Sequence, residues 1–213
     1  MQWHSYMQTF NQLEYIFMKI RDTQRSKLYR AEREAWQVLS CPLPTISDIR
    51  QYLEKQSTRK PLQRRYGASV NVTDWELEIA DGRGCQHARA NGTQKITIPR
   101  WARTEWVVLH EWAHIIHKRL NISFVPGSGI LNYGSRSFEL RGPAAPHGWQ
   151  FASIYLDLVR FCISEEAARA LKAAFKAHNV RYRPKPTRTV TEEQLARLAA
   201  MRASQATAAV STT

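Results

Sequence analysis

Residues 104–117 decide the fold, and they read Thr-Glu-Trp-Val-Val-Leu-His-Glu-Trp-Ala-His-Ile-Ile-His. Apolar residues recur here with the period of an α-helix, and we predict a helix over about 104–120. Residues 110–114 within it form the pattern H-E-x-x-H. Because a helix has 3.6 residues per turn, His110 and His114 share one face and lie about 6 Å apart along the axis. Two imidazoles placed in this way can bind one metal ion.

The remaining side chains of this helix fit a catalytic metal site. Glu111 lies about 100° around the axis from His110, beside the place where a metal-bound water would sit. Zinc lowers the pKa of such a water toward ~7, and a carboxylate there can accept its proton. The larger apolar residues cluster on the side opposite the histidines: Val108, Trp112, Ile115 and Ile116. This pattern predicts that one face packs inward while the histidine face lines a cleft.

A third ligand must come from elsewhere, since a catalytic zinc keeps three protein ligands and one open position. His117 is on the same helix face, but about 10.5 Å along the axis from His110, which is too far for one ion to bind both. His147 is favoured because a proline and a glycine flank it at the start of the next predicted helix. Glu139 stays open as an alternative, since two histidines and a glutamate form thermolysin-like sites.

The surrounding sequence predicts strands and further helices. Apolar alternation from Trp75 to Ile79 predicts a strand, and Asn91-Gly92 predicts a β-hairpin between residues 85–90 and 94–98. Three strands that do not alternate with helices indicate an α+β fold. The predicted flanking helices cover residues 21–39, 45–58 and 151–162, and a further helix follows Ser164. A capping box at Thr45 and Asp48 opens the second of these helices, and Ser164 caps the last. Residues 59–67 are predicted to be a basic connector, and residues 121–146 a Gly-, Pro- and Ser-rich loop.

The net charge of the 213-residue chain is +13, with a hydrophobic content of 43% that excludes a fully disordered protein. Residues 67–150, which contain the motif, have a net charge of only +2, whereas residues 1–66 have +6 and residues 151–213 have +5. Basic flanks of this kind are typical of a solvated surface, and they also allow non-specific binding of nucleic acid. A nucleic-acid-associated protein with a structural zinc is therefore the alternative to an enzyme.

The cysteines and the hydropathy of the chain indicate the cellular compartment in which we expect the protein. Cys41, Cys85 and Cys162 are far apart and form no C-x-x-C pair, so we expect reduced thiols rather than disulfides or a cysteine zinc site. No run of about 18 apolar residues exists to span a bilayer, and the first residues lack the basic and apolar regions of a secretory signal. We therefore expect a cytoplasmic protein with no membrane partner.

The motif and its downstream histidine resemble a known group. His110-Glu111-x-x-His114, followed by His147-Gly148-x-x-Phe151, resembles the pattern of the SprT-like metalloproteases. The chain is more similar still to a family of small proteins from actinobacteria and their phages, which are classed as zinc metallohydrolases largely on this motif. The similarity covers about residues 19–183, and its matching segments are residues 21–32, 101–104 and 150–159.

The resemblance implies one catalytic Zn²⁺ held by His110, His114 and His147, with Glu111 as general base and a peptide or protein as substrate. It also implies a minimal zincin-like core, in which a small antiparallel sheet packs on the H-E-x-x-H helix and further helices flank it. The strand at 94–98 would form the cleft edge, where an extended peptide could add. A zinc hydrolase of a non-peptide substrate fits the same residues.

Three segments follow from the resemblance and the periodicity. We expect residues 1–20 to be an N-terminal extension, residues 21–190 to form a single metalloprotease-like domain, and residues 191–213 to form a short helix and a disordered tail. The SprT-like proteins of DNA repair often carry a C-terminal zinc ribbon. This sequence has no cysteine after Cys162, so we do not carry the DNA-repair role over to it.

Overall fold

A computed structural model of the chain describes residues 22–36, 41–122, 130–133, 136–139 and 145–184, with only the backbone between 121 and 139. The described helices are α1 (Arg25–Ala35), α2 (Ile46–Ser57), α3 (Lys60–Tyr66), α4 (Glu105–Ile122), α5 (Trp149–Leu158) and α6 (Glu165–Ala177). The described strands are β1 (Glu78–Asp81), β2 (Arg89–Asn91), β3 (Lys95–Ile98), β4 (Ile130–Tyr133) and β5 (Arg136–Glu139). The predicted mixture of helices and strands is confirmed, while the expected segments 1–20 and 191–213 lie outside the described residues.

The main sheet is mixed, so the prediction of an antiparallel sheet is wrong. β3 lies between its two neighbours, parallel to β1 and antiparallel to β2. The predicted hairpin forms between β2 and β3, and Gly92 in its turn has a φ of 60°, which glycine adopts without strain. β1 can end against β3 because Gly82 has no side chain: a Cβ there would lie 2.6 Å from the backbone nitrogen of Pro99.

The order of the strands also corrects the expected cleft edge. Residues 94–98 were expected to form an open edge, but β3 is hydrogen-bonded on both sides. The edge strand that contacts α4 is β2, whose Ala90 carbonyl accepts a hydrogen bond of 2.8 Å from Nζ of Lys118. The predicted loop at 121–146 contains the β4–β5 hairpin. A peptide strand added on the side of α4 would therefore meet β2 rather than β3.

Two helices that precede the sheet show what local sequence could and could not predict. α2 begins as predicted with a capping box, in which the Thr45 hydroxyl accepts from the backbone N–H of Asp48 and the Asp48 carboxylate accepts from that of Thr45. Residues 59–67 were predicted to be a connector, but residues 60–66 form α3. Proline in its first turn favours the helix, and Leu62 and Tyr66, one turn apart, are buried.

The motif helix α4 runs through the centre of the fold. Its apolar residues Val108, Trp112, Ile115 and Ile116 are fully buried, as predicted. Its last turn is fixed by Arg119, which is 1% exposed and donates hydrogen bonds to the carbonyls of Ser69, Asn71 and Thr93.

On the other side of the fold, α1 packs against α6, and α5 packs against α4. Ser164 caps α6 by accepting a hydrogen bond from the backbone N–H of Ala167, as the sequence predicts. Within the ranges given above, no helix combines the length and the apolarity that crossing a membrane requires.

Candidate metal centre

Three histidines from two parts of the chain converge beside α4. His110 and His114 lie on α4, and His147 lies in the turn that leads into α5. One ring nitrogen of each lies within 4.8 Å of those of the other two. The structure therefore brings together the three residues that the sequence analysis favoured as ligands. We call His110, His114 and His147 the histidine cluster.

The turn that carries His147 is held by its backbone. The N–H of Gly148 donates to the carbonyl of Ala145 at 2.8 Å, and the carbonyl of His147 accepts from Nε2 of Gln24 at 2.9 Å. A Cβ at Gly148 would lie 3.1 Å from the oxygen of Ala145, so a side chain there would press on the turn. The sequence from 145 to 148 thus places the His147 imidazole with little freedom.

In two of these histidines, one ring nitrogen contacts a carboxylate and the other has no hydrogen-bond partner. Nδ1 of His110 lies 2.5 Å from Oε1 of Glu32, and Nδ1 of His147 lies 2.5 Å from Oδ2 of Asp22. Because a carboxylate only accepts hydrogen bonds, each Nδ1 carries the hydrogen. Each Nε2 then offers a lone pair, and both Nε2 atoms are buried without a hydrogen-bond partner.

Buried polar atoms without a partner are costly, at about 1–3 kcal/mol each, and most folded proteins avoid them. Two such nitrogens facing a third imidazole are what a metal ion with nitrogen ligands requires. The residues present therefore fit a metal ion, and both the donor type and the closeness of the three nitrogens support this conclusion. His114 is only partly buried, whereas His110 and His147 are buried.

Two aromatic side chains hold the ligand rings in place. Phe151 is fully buried, and its ring centroid lies 5.0, 4.2 and 5.0 Å from those of His110, His114 and His147. Tyr29 on α1 is 37% exposed, stacks on His110 and meets His147 edge-on, both at 5.5 Å. The aromatic residue of the H-G-x-x-aromatic pattern thus acts as the floor of the histidine cluster, and Tyr29 covers it from α1.

Glu111 is buried beside the edge strand β2. It is 6% exposed, and its carboxylate accepts a hydrogen bond from the backbone N–H of Ala90. Burial raises the pKa of Glu111 above its ordinary value, although the neighbouring His110 and Lys118 oppose the shift. A carboxylate with a raised pKa holds a proton more readily, which suits a general base.

Burial and charge give the three clustered imidazoles different proton affinities. Burial lowers the pKa of His114 well below its ordinary value, and repulsion from His110 and His147 adds to this shift. Burial also lowers the pKa of His147, against the opposing effect of Asp22. Burial acts on the pKa of His110 in the same direction, but the carboxylate of Glu32 outweighs it and raises this pKa. Neutral His114 and His147 are ready to bind a metal at pH 7.

The remaining candidate ligands are His117 and Glu139. His117 is buried but does not belong to the histidine cluster, in agreement with the helical spacing. Burial lowers its pKa to about 4, so it is neutral at pH 7. Glu139 lies on β5, and its side chain is outside the described part of the structure, so this alternative stays a prediction.

The sequence analysis missed the two carboxylates that contact the histidine cluster. Glu32 is 1% exposed and lies on the buried face of α1 with Leu28, Ala31 and Ala35. A glutamate within the apolar stripe of a predicted helix is the signal that could have identified it. Asp22 precedes α1, and no local pattern distinguishes it from other acidic residues.

Comparison with known proteins finds no match: no protein-family model matches the chain, and neither a curated protein nor a solved structure is significantly similar to it. The resemblance to SprT-like metalloproteases therefore stays a prediction. The case for a metal centre rests on the geometry of the chain's own residues.

Proposed function

We propose that this protein is a zinc-dependent hydrolase, with peptide bonds as its favoured substrate class. The observation that carries the proposal is the histidine cluster, whose three ring nitrogens lie within 4.8 Å of one another. Glu111, the residue next to one of these ligands, is a buried carboxylate with a raised pKa. Three imidazole ligands with an adjacent base are the minimum set for metal-assisted hydrolysis.

Zinc is the metal that we favour for this set of donors. Imidazole ligands suit zinc, copper, iron and nickel, and three protein ligands with one open position are typical of catalytic zinc. Nε2 of His110, Nε2 of His147 and a ring nitrogen of His114 would hold the ion. A bound zinc ion polarises the substrate carbonyl and lowers the pKa of the attacking water toward ~7.

The proton transfers fall to Glu111. Its carboxylate accepts a proton from the attacking water and passes this proton to the nitrogen of the leaving amine. The hydrogen bond from the N–H of Ala90 keeps the carboxylate beside α4 and β2. Burial excludes the bulk water that would otherwise compete for the proton. It also raises the pKa of Glu111 toward the range in which one carboxyl group can accept a proton and then donate it.

Peptide is favoured over other substrates for two reasons. The order of the motif residues resembles that of SprT-like metalloproteases, which act on proteins. The edge strand β2 lies directly beside Glu111, and an extended peptide bound along such a strand would present its backbone to the histidine cluster. Ala90 already bonds to side chains of α4, so the peptide would have to replace those contacts or bind on either side of them.

The decisive experiment is Glu111→Gln in the full-length, zinc-loaded protein, assayed against a panel of peptides, esters and amides. We expect the variant to keep one zinc per chain and to lose about 10²- to 10⁴-fold in turnover, because it retains the size of the side chain but not the base. Glu78→Gln is the matched control, since the Glu78 carboxylate is exposed and pairs with Lys95 on the sheet.

Three results would contradict parts of the proposal. An unchanged rate for Glu111→Gln would remove Glu111 as the base. Wild-type turnover of esters or amides but not peptides would retain the hydrolase and exclude the peptidase. A wild-type protein that binds no divalent metal would remove the metal centre itself.

A further inference from the structure

We infer that Asp22 and Glu32 are positioning residues of the metal centre, so that α1 and the residues before it are part of the site. Both carboxylates contact Nδ1 of a ligand histidine at 2.5 Å, from positions 78 and 125 residues away in sequence. The inference rests on the proposed metal centre but not on the reaction that the protein catalyses.

The burial of Glu32 indicates a function other than packing. Its side chain is 2% exposed and shares a helix face with Leu28, Ala31 and Ala35, where an apolar residue would bury at no electrostatic cost. Burying a carboxylate is strongly unfavourable unless a partner offsets the loss of hydration. The partner here is Nδ1 of His110, whose other nitrogen faces the histidine cluster.

Residues 22–24 hold His147 at two points. Asp22 binds its imidazole through Nδ1, and Nε2 of Gln24 donates to its carbonyl. Oε1 of Gln24 in turn accepts from the backbone N–H of Arg181, beyond α6. The orientation of the His147 ring therefore depends on chain segments before α1 and after α6 as well as on its own turn.

A carboxylate at Nδ1 does two things for a ligand histidine. It selects the tautomer in which Nε2 is free to bind the metal, and its negative charge makes Nε2 a stronger ligand. Removing such a partner typically lowers metal affinity or activity by about 10- to 100-fold. Asp22 and Glu32 would therefore determine how tightly the metal binds more than whether the chain folds.

The chain offers a matched control on the same helix. Glu34 also contacts a histidine, with Oε2 lying 2.8 Å from Nε2 of His178. This pair is on the surface, with 57% of the Glu34 side chain and 29% of the His178 side chain exposed. It has the same two residue types in contact but lies outside the histidine cluster. Neutralising Glu34 should therefore leave metal binding unchanged.

The test compares Glu32→Gln, Asp22→Asn and Glu34→Gln in the full-length protein. Zinc affinity is measured by competition with a chromophoric chelator, and the visible spectrum of the Co²⁺ form reports the ligand geometry. We expect Glu32→Gln and Asp22→Asn each to weaken zinc binding by about 10- to 100-fold and to alter the Co²⁺ spectrum. Glu34→Gln should stay within about twofold of the wild type.

Wild-type zinc affinity and an unchanged Co²⁺ spectrum in both Glu32→Gln and Asp22→Asn would overturn the inference while leaving the metal centre intact. A wild-type protein that binds neither zinc nor Co²⁺ would overturn the proposed function as well. If Glu32→Gln does not fold, Asp22→Asn decides alone, because the Asp22 side chain is 20% exposed and lies before α1. Equal losses in Glu34→Gln would show that any change of charge on α1 has the same effect, and this result would also overturn the inference.

Discussion

Two polar clusters lie near opposite ends of α5. They differ in whether their buried polar atoms all have hydrogen-bond partners within the protein. At its start, His147 belongs to the histidine cluster, where two buried Nε2 atoms have no hydrogen-bond partner. Near its end, Asp157 is 3% exposed, and its Oδ2 accepts from the hydroxyl of Tyr66 at 2.6 Å and pairs with Nε of Arg65 at 2.7 Å. We call this second group of Asp157, Tyr66 and Arg65 the Asp157 junction.

The difference separates a structural cluster from a binding cluster. In the Asp157 junction, protein side chains supply the partners of the Asp157 carboxylate. Its contacts with Tyr66 and Arg65 join α3 to α5. In the histidine cluster, carboxylates satisfy only the Nδ1 atoms, and the remaining nitrogens converge on one point. Burial and polarity are common to both, so neither identifies a functional site. Unpaired atoms that converge on a point favour a functional site, because one ligand could satisfy them together.

The largest effect expected is on metal binding in His147→Ala. Removing a residue that only supports a ligand typically weakens metal binding by about 10- to 100-fold. Removing one of the three ligands should weaken zinc binding by more than this, while the metal-free protein keeps its fold. Zinc content and competition with a chelator measure this directly, with His178→Ala as the control on a partly exposed histidine outside the histidine cluster. Full retention of one tightly bound zinc would point to Glu139 as the third ligand instead.

A variant of His117 tests whether a buried ring nitrogen without a hydrogen-bond partner is by itself enough to indicate a metal ligand. Burial lowers its pKa to about 4, below the ordinary value of 6.5, so the unfolded chain takes up this proton first as the pH falls. The stability that His117 contributes is therefore present above pH 6.5 and lost between pH 6.5 and about 4, with a total of about 3 kcal/mol. We expect His117→Leu to retain zinc and to lose that much less stability on acidification.

Urea unfolding of the metal-free wild type and His117→Leu at pH 7 and pH 4.5 measures this difference. His110, His114 and His147 titrate in both proteins, so most of their contribution cancels in the comparison. His87→Leu, at an exposed position, is the control. An equal loss of stability in both proteins would show that His117 does not cause this acid sensitivity. A loss of zinc in the variant would make His117 part of the metal centre and weaken the distinction drawn above.

The smallest effect is expected in the Asp157 junction. Tyr66→Phe removes a hydrogen bond to a buried carboxylate and should lower the free energy of unfolding by about 2 kcal/mol at pH 7, without changing zinc affinity. Burial raises the pKa of Asp157, while the bonds from Tyr66 and Arg65 oppose the shift. Losing the hydroxyl raises this pKa further, so the destabilisation grows as the pH rises and is smaller at pH 4.

Urea unfolding at both pH values, with zinc competition on the same samples, checks this prediction. A variant that loses zinc as well as stability would show that the two clusters are coupled through α5. A variant that is equally destabilised at pH 4 and pH 7 would assign the loss to packing rather than to the carboxylate.

The parts of the fold that were predicted correctly depend on residues close together in sequence. His110 and His114 share a face because the helix repeats every 3.6 residues, and the capping box at Thr45 and Asp48 spans one turn. The helix at 60–66 was missed because its basic residues resemble a connector, and only burial of Leu62 and Tyr66 in the core shows why it forms.

The central place of β3 and the roles of Asp22 and Glu32 depend on contacts that span the chain. The sequence of a strand does not reveal how many strands pair with it. The residues around a carboxylate likewise do not predict its contact with a histidine 78 or 125 residues away. The sequence by itself determined that His110 and His114 share one face of α4, since helical geometry is local, and it favoured His147 as their partner. Tertiary structure alone decided that His147 meets them and which nitrogen of His110 and of His147 faces the histidine cluster, because the partner of the other nitrogen arrives only when α1 packs against the rest of the fold.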